Sequence, residues 1–170
     1  MLFIRAQRKP ETLVAILTKP DMTDTYPNPW DFHNTDKTLL SSDLNHKVVY
    51  YDLNEIAMGG PLGGLCFLET TENKKIKIND WCGGPAIWET SGFFMAVPIW
   101  TRNALQGTVQ QIGLLNLRTN ELKIYSTIFR VLDFRFFDKN IISGYDSPIY
   151  QTKTLTFNID TEKVDQVVRL

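Results

Sequence analysis

Short apolar runs separated by clusters of Gly, Pro, Asn, Asp and Thr cover most of the chain. No stretch holds a helical apolar period of 3.6 over about a dozen residues, so the pattern predicts strands and tight turns with little helix. Residues 2–6 and 12–18, split by Arg8-Lys9-Pro10-Glu11, read as a hairpin. Residues 19–46 break the pattern. Pro20, Pro27 and Pro29 and many Asp, Asn and Thr residues exclude a regular ladder there. Irregular stretches of this length are usually functional or disordered, and Tyr26, Trp30 and Phe32 argue for order. From Lys47 onward strands alternate with turns. A strand over 48–53 is followed by a Gly-rich turn at 59–64. Hairpins are expected at 65–68 with 75–78, at 86–88 with 93–100, at 109–117 with 122–125, and at 129–137 with 141–143. Residues 155–159 and 164–170 read as the start of a further unit. Within 129–137, Phe134 and Phe136 are expected to point inward together.

A degenerate repeat runs through this second part. Residues 116–122 (Asn-Leu-Arg-Thr-Asn-Glu-Leu) return 42 residues later as 158–164 (Asn-Ile-Asp-Thr-Glu-Lys-Val). A weaker copy lies at Leu68-Glu69-Thr70, and residues 97–100 (Val-Pro-Ile-Trp) are echoed at 147–150 (Ser-Pro-Ile-Tyr). A period of about 40–50 residues made of two hairpins resembles a β-propeller blade. Too few copies are legible for a closed ring. The expected fold is therefore all-β and antiparallel, either an open, partial β-propeller-like stack of four-stranded units or a twisted β-sandwich. The organisation expected is one β domain over 1–170, with a hairpin and long loop in 1–46 and repeated hairpins in 47–170. A terminal strand is expected to complete a sheet begun elsewhere in the chain.

Composition narrows the function classes. The chain has 170 residues, 43% hydrophobic and 22% charged, with 18 Lys and Arg against 19 Asp and Glu. A net charge of −1 argues against a general nucleic-acid binder. Charges within the first residues predict no signal peptide, and no apolar run reaches the roughly 18 residues of a membrane helix. Cys66 and Cys82 are expected as free buried thiols in a reducing cytoplasm. The charge is unevenly placed. Residues 20–60 carry seven acids against Lys37 and Lys47, whereas residues 111–170 carry seven acids against eight bases. An acidic front on a neutral body either steers a basic partner or serves as a solubilising loop.

No motif spells out a reaction. His33 and His46 share no ligand spacing with Cys66 and Cys82, so no metal site or cofactor is expected. The glycines at 59–64 lack a P-loop lysine and read as turn formers. Asp80, Glu89, Asp133, Asp138 and Asp146 fall at strand ends, where a carboxylate pair could meet on one rim or merely form turns. Trp30 in the acidic loop and Trp81 beside Asp80 are the tryptophans placed to be exposed.

In size, in the placement of its acids and in its lack of active-site signatures, the chain resembles in type the bacterial toxin-immunity proteins, such as those of contact-dependent growth inhibition. That resemblance implies a cytoplasmic, non-enzymatic inhibitor that occludes a basic toxin, commonly a nuclease, with its acids standing where substrate phosphates would lie. The partner-binding residues expected are Asp21, Asp24, Tyr26, Trp30, Asp31, Asp36, Asp52, Glu55 and Trp81. The protein is expected to be a monomer or weak homodimer when free, with no direct nucleic-acid or membrane contact. The alternative is a carbohydrate-binding or glycan-active β protein using rim Trp and Asp residues. A structural piece of a larger assembly, with an open sheet edge filled by a second copy, is a third class.

Overall fold

The computed structural model describes residues 27–170. The hairpin expected over 2–6 and 12–18 lies outside them, as do Asp21, Asp24 and Tyr26. The strands are β1 (His46–Glu55), β2 (Leu62–Thr70), β3 (Lys75–Cys82), β4 (Ile87–Trp88), β5 (Phe94–Asn103), β6 (Gly107–Asn116), β7 (Glu121–Tyr125), β8 (Leu132–Asp138), β9 (Ile141–Asp146), β10 (Lys153–Asn158) and β11 (Val164–Arg169). One 3₁₀ turn, Lys37–Leu39, precedes them. The larger sheet has the order β1-β2-β3-β5-β6-β7-β11, with β4 beside β5, and the smaller has the order β10-β9-β8. The strand pairings within both sheets are antiparallel, and neither sheet closes.

Two cores explain this arrangement. One face of the large sheet gathers Val48, Tyr50, Cys66, Leu68, Ile78, Cys82, Met95, Val97, Ile99, Leu115, Leu122 and Ile124 into one cluster. Leu53 near one end of the sheet and Val168 at the other both pack on it, so the sheet curls around this core. On the opposite face, Ala96, Ile112, Leu114 and Tyr125 pack against Leu132, Phe134, Phe137, Ile142, Leu155 and Phe157 of the small sheet. β5 is thus covered on both sides, which is why it reads as an unbroken apolar run rather than an alternating one. Pro98 is tolerated inside it because its backbone faces the 83–86 crossing, where its carbonyl accepts the Gly83 N–H at 2.9 Å. Buried Gln110 joins the sheets: its backbone bridges Phe129 and its Oε1 accepts the Leu132 N–H at 2.5 Å.

The four expected hairpins form as β2–β3, β4–β5, β6–β7 and β8–β9. The final pair does not. β10 joins β9 in the small sheet, while β11 returns to the large sheet beside β7. The repeat is local turn chemistry. Asn116 Oδ1 accepts the Arg118 N–H at 2.9 Å, and Asn158 Oδ1 accepts the Asp160 N–H at 2.9 Å. The first turn closes a hairpin and the second crosses between sheets. Phe136 also departs from expectation. A bulge between Phe134 and Phe136 shifts the alternation, so Phe134 and Phe137 point inward and Phe136 is exposed.

Residues 27–45 pack on one end of the first core. Phe32 and Leu39 are buried there, and Trp88 Nε1 donates to Leu39 O at 3.0 Å. Asn34 imitates a neighbouring strand: its Oδ1 accepts the Tyr50 N–H and its Nδ2 donates to Tyr50 O, both at 2.8 Å. The outer edge of β1 is thereby capped in its middle.

Glu89 ties the β4–β5 turn to the β8–β9 turn. Its carboxylate accepts from Thr90 Oγ1 at 2.9 Å, Ser91 N at 2.8 Å, Lys139 N at 3.1 Å and the Ser91 hydroxyl. Burial opposes its ionisation, but the Ser91, Thr90 and Lys139 donors outweigh burial and hold the carboxyl below its ordinary 4.5. Because the folded value is the lower one, these bonds stabilise the fold fully above the unfolded value. Their contribution is lost as pH falls through the folded value. Glu89→Gln should cost about 1–3 kcal/mol at neutral pH. Urea midpoints measured from pH 7 to pH 3 should fall less steeply for this variant than for the wild type.

Candidate functional site

The small sheet packs on the β5–β6–β7 part of the large sheet, and among the described residues no strand covers the outer face of β1, β2 and β3. Alternation places Tyr51, Leu65, Phe67 and Trp81 on that face, all half-buried. Tyr51 and Phe67 meet edge to face at 5.4 Å. The Lys75 ammonium sits 3.8 Å from the Tyr51 ring centroid and 5.1 Å from that of Phe67, and 3.6 Å from Glu69. A cation held between aromatic rings and a carboxylate is thus already part of this surface.

Next to it lies a groove of about 350 Å³, lined by Asp52, Asn54, Glu55, Ile56, Gly63, Gly64, Leu65, Asp80 and Trp81. Its shape follows from an irregularity in β1. The register slips between Tyr51 and Asn54, and Asp52 takes the left-handed conformation with φ 53°. The slip turns the Asp52 and Glu55 side chains outward near the end of the strand, where both are exposed. The floor is made of glycine. A Cβ on Gly63 would meet Trp81 Nε1 at 2.9 Å and Trp100 Cδ1 at 3.1 Å. Trp81 leans on Trp100 with ring centroids 6.1 Å apart, and Trp100 Nε1 donates to Leu62 O at 3.2 Å.

The electrostatics of the groove are acidic. Asp80 forms an ion pair with Lys77, and the Arg102 guanidinium lies 5.9 Å from the Trp81 ring centroid. Asp52 and Glu55 have no ion-pair partner among the described residues. Glu55 Oε2 accepts the Gly59 N–H at 2.9 Å, which fixes the β1–β2 turn against the groove.

Of the expected partner-binding residues, Asp52, Glu55 and Trp81 come together here. Trp30, Asp31 and Asp36 do not line the groove. Their segment reaches it through the backbone, since the Leu62 N–H donates to Pro29 O at 2.9 Å. Asp31 Oδ1 lies 3.1 Å from His33 Nε2, and Asp36 Oδ2 accepts the His33 N–H at 2.6 Å. Trp30 is half-buried. The residues not anticipated are Asn54, Ile56, Gly63, Gly64 and Leu65. Glycines within a strand mark close approach of another backbone, and that signal was available at 63–64.

The other candidate carboxylates do not share a rim with the groove, apart from Asp80. Glu89 and Asp138 meet at the Thr90 hydroxyl, with Asp138 Oδ1 at 2.9 Å. Asp146 Oδ1 accepts the Arg130 and Val131 N–H groups, a turn role. Asp133 is buried beside Arg135 at 2.7 Å, and burial pushes its carboxyl up despite that pairing. His46 opens β1, half-buried, with its ring 6.3 Å from that of Trp88. Cys66 and Cys82 are buried and unbridged. Among the described residues no group of three His, Cys, Asp or Glu side chains could hold a metal ion. No helix among them is long and apolar enough to cross a membrane. No family model, no curated protein and no solved structure matches the chain.

Proposed function

We propose that the protein is a non-enzymatic binding module whose groove and outer β1–β3 face cover a basic protein partner. The inhibitory reading is a bacterial, cytoplasmic immunity-type protein occluding a toxin such as a nuclease. One observation carries the proposal: Trp81 of β3 and the β1 acids Asp52 and Glu55, more than 25 residues away in sequence, open onto a single groove whose two β1 carboxylates lack cationic partners among the described residues. An aromatic anchor ringed by carboxylates suits an Arg or Lys side chain of the partner, through the ring face and charge pairing together. The acids would also accelerate encounter, an effect that salt suppresses.

Association with the product of the gene beside its own, followed by calorimetry from low to high salt, tests this. Binding should weaken steadily with salt. Asp52→Lys with Glu55→Lys should weaken binding at low salt by about tenfold or more. A neighbour that fails to bind, or binding indifferent to both salt and charge reversal, would overturn the reading. The groove also suits a sugar ring, because Trp81 is flanked by the hydrogen-bonding side chains of Asn54 and Asp80. A salt-insensitive glycan-array signal abolished by Trp81→Ala would favour that class instead.

A further inference from the structure

We propose that the protein forms a two-fold dimer by pairing β11 with β11 of a second copy, antiparallel and centred on Val167. β1, at the other end of the large sheet, is capped by Asn34 and by a bridge between Leu40 and Lys47. Among the described strands β11 pairs only with β7. The Leu170 N–H donates to Asn120 O, so even-numbered residues at this end turn their backbone groups toward β7. Alternation then turns the N–H and C=O of Val167 and Arg169 outward along an edge that no described strand covers. Val167 itself is 56% exposed, an apolar side chain at the middle of that edge.

The charges decide the occupant. Edges are commonly blunted by charges that meet their own copies as like charges. Here the two charges of β11 have opposite sign and stand symmetrically about Val167, with Asp165 two residues before it and Arg169 two residues after, both exposed. A two-fold axis at Val167 sets Val167 against Val167, Asp165 against Arg169, and Arg169 against Asp165. The edge is therefore complementary to itself. The register slip between Val164 and Gln166 keeps the new ladder short, which sets a modest affinity. No residue of β11 lines the Trp81 groove, so the dimer would leave both copies of it free.

Sedimentation equilibrium on the full 170-residue chain tests this. The wild type should show a concentration-dependent dimer at or below about 100 μM. Asp165→Arg and Arg169→Asp should each weaken it by roughly tenfold or more, because each sets like charges opposite one another twice. An equimolar mixture of the two variants should dimerise again. In the mixed dimer the arginine introduced in one copy faces the aspartate introduced in the other, and the remaining native Asp165 faces the remaining native Arg169. That recovery cannot arise from misfolding. A wild type that stays monomeric, a dimer unmoved by either variant, or a mixture no more associated than its components would overturn the proposal.

Discussion

Phe32→Ala should destabilise the protein by about 3–5 kcal/mol, the range of a fully buried Phe removed from a core. Phe32 is 1% exposed, and its ring meets Tyr50 edge to face at 4.9 Å. Its neighbours Asp31 and His33 are exposed, so this short stretch alternates like a strand, although among the described residues its ladder is a single bridge between Asn28 and Asp31. The acidic segment is therefore seated by one aromatic and one leucine, with its charges carried on the outside. Asp31→Asn should shift stability by no more than about 0.5 kcal/mol, as is usual for a surface site. Denaturant midpoints for the two variants provide the comparison. A Phe32→Ala midpoint equal to the wild type would mean that residues 27–45 are not part of the core.

Gly64→Ala should cost about 3 kcal/mol, at the upper end of overpacking. A Cβ there would stand 2.5 Å from Tyr51 O and 3.2 Å from Leu53 N. Those atoms are backbone and cannot rotate away, so β1 would have to move and its slip at Asp52 would be disturbed. Gly63→Ala differs in kind. Its contacts are the Trp81, Ile56 and Trp100 side chains, which can yield by a few tenths of an ångström. It should lose less stability but narrow the groove. The two variants thus separate floor from fold: unfolding midpoints should rank Gly64→Ala as the more damaging. Partner affinity, measured well below the unfolding temperature, should still fall for Gly63→Ala.

Strands and turns were legible because their signals are local. The turn at 118–121 illustrates this, with Asn116 Oδ1 accepting the Arg118 N–H and Asn120 at φ 54° between β6 and β7. The sheet to which a strand belongs is not a local property. The Asn158 turn has the chemistry of the Asn116 turn, yet β10 and β11 part company, because Phe157 packs under Tyr125 in one core and Val168 in the other. A single inserted residue in β8 was likewise invisible, and it reversed the side on which Phe136 points. The site divides in the same way. Asp52, Glu55 and Trp81 were recognisable as residue types, an acidic stretch and an aromatic beside an acid. Their meeting depends on the β1 slip and on two glycines that read as turn formers but lie inside β2.

The central claim is that the groove at Trp81 receives a partner's cationic side chain. The four tryptophans supply an internal control. Trp88 and Trp100 are buried, with their indole N–H groups bonded to Leu39 O and Leu62 O. An NMR titration of the labelled protein with an arginine-rich peptide should shift the Trp81 indole signal together with backbone signals of Asp52–Glu55 and Gly63–Leu65. The Trp88 signal should stay in place, and the shifts should disappear in Asp52→Asn with Glu55→Gln. Shifts that bypass Trp81, or that persist unchanged in the neutralised variant, would contradict the account.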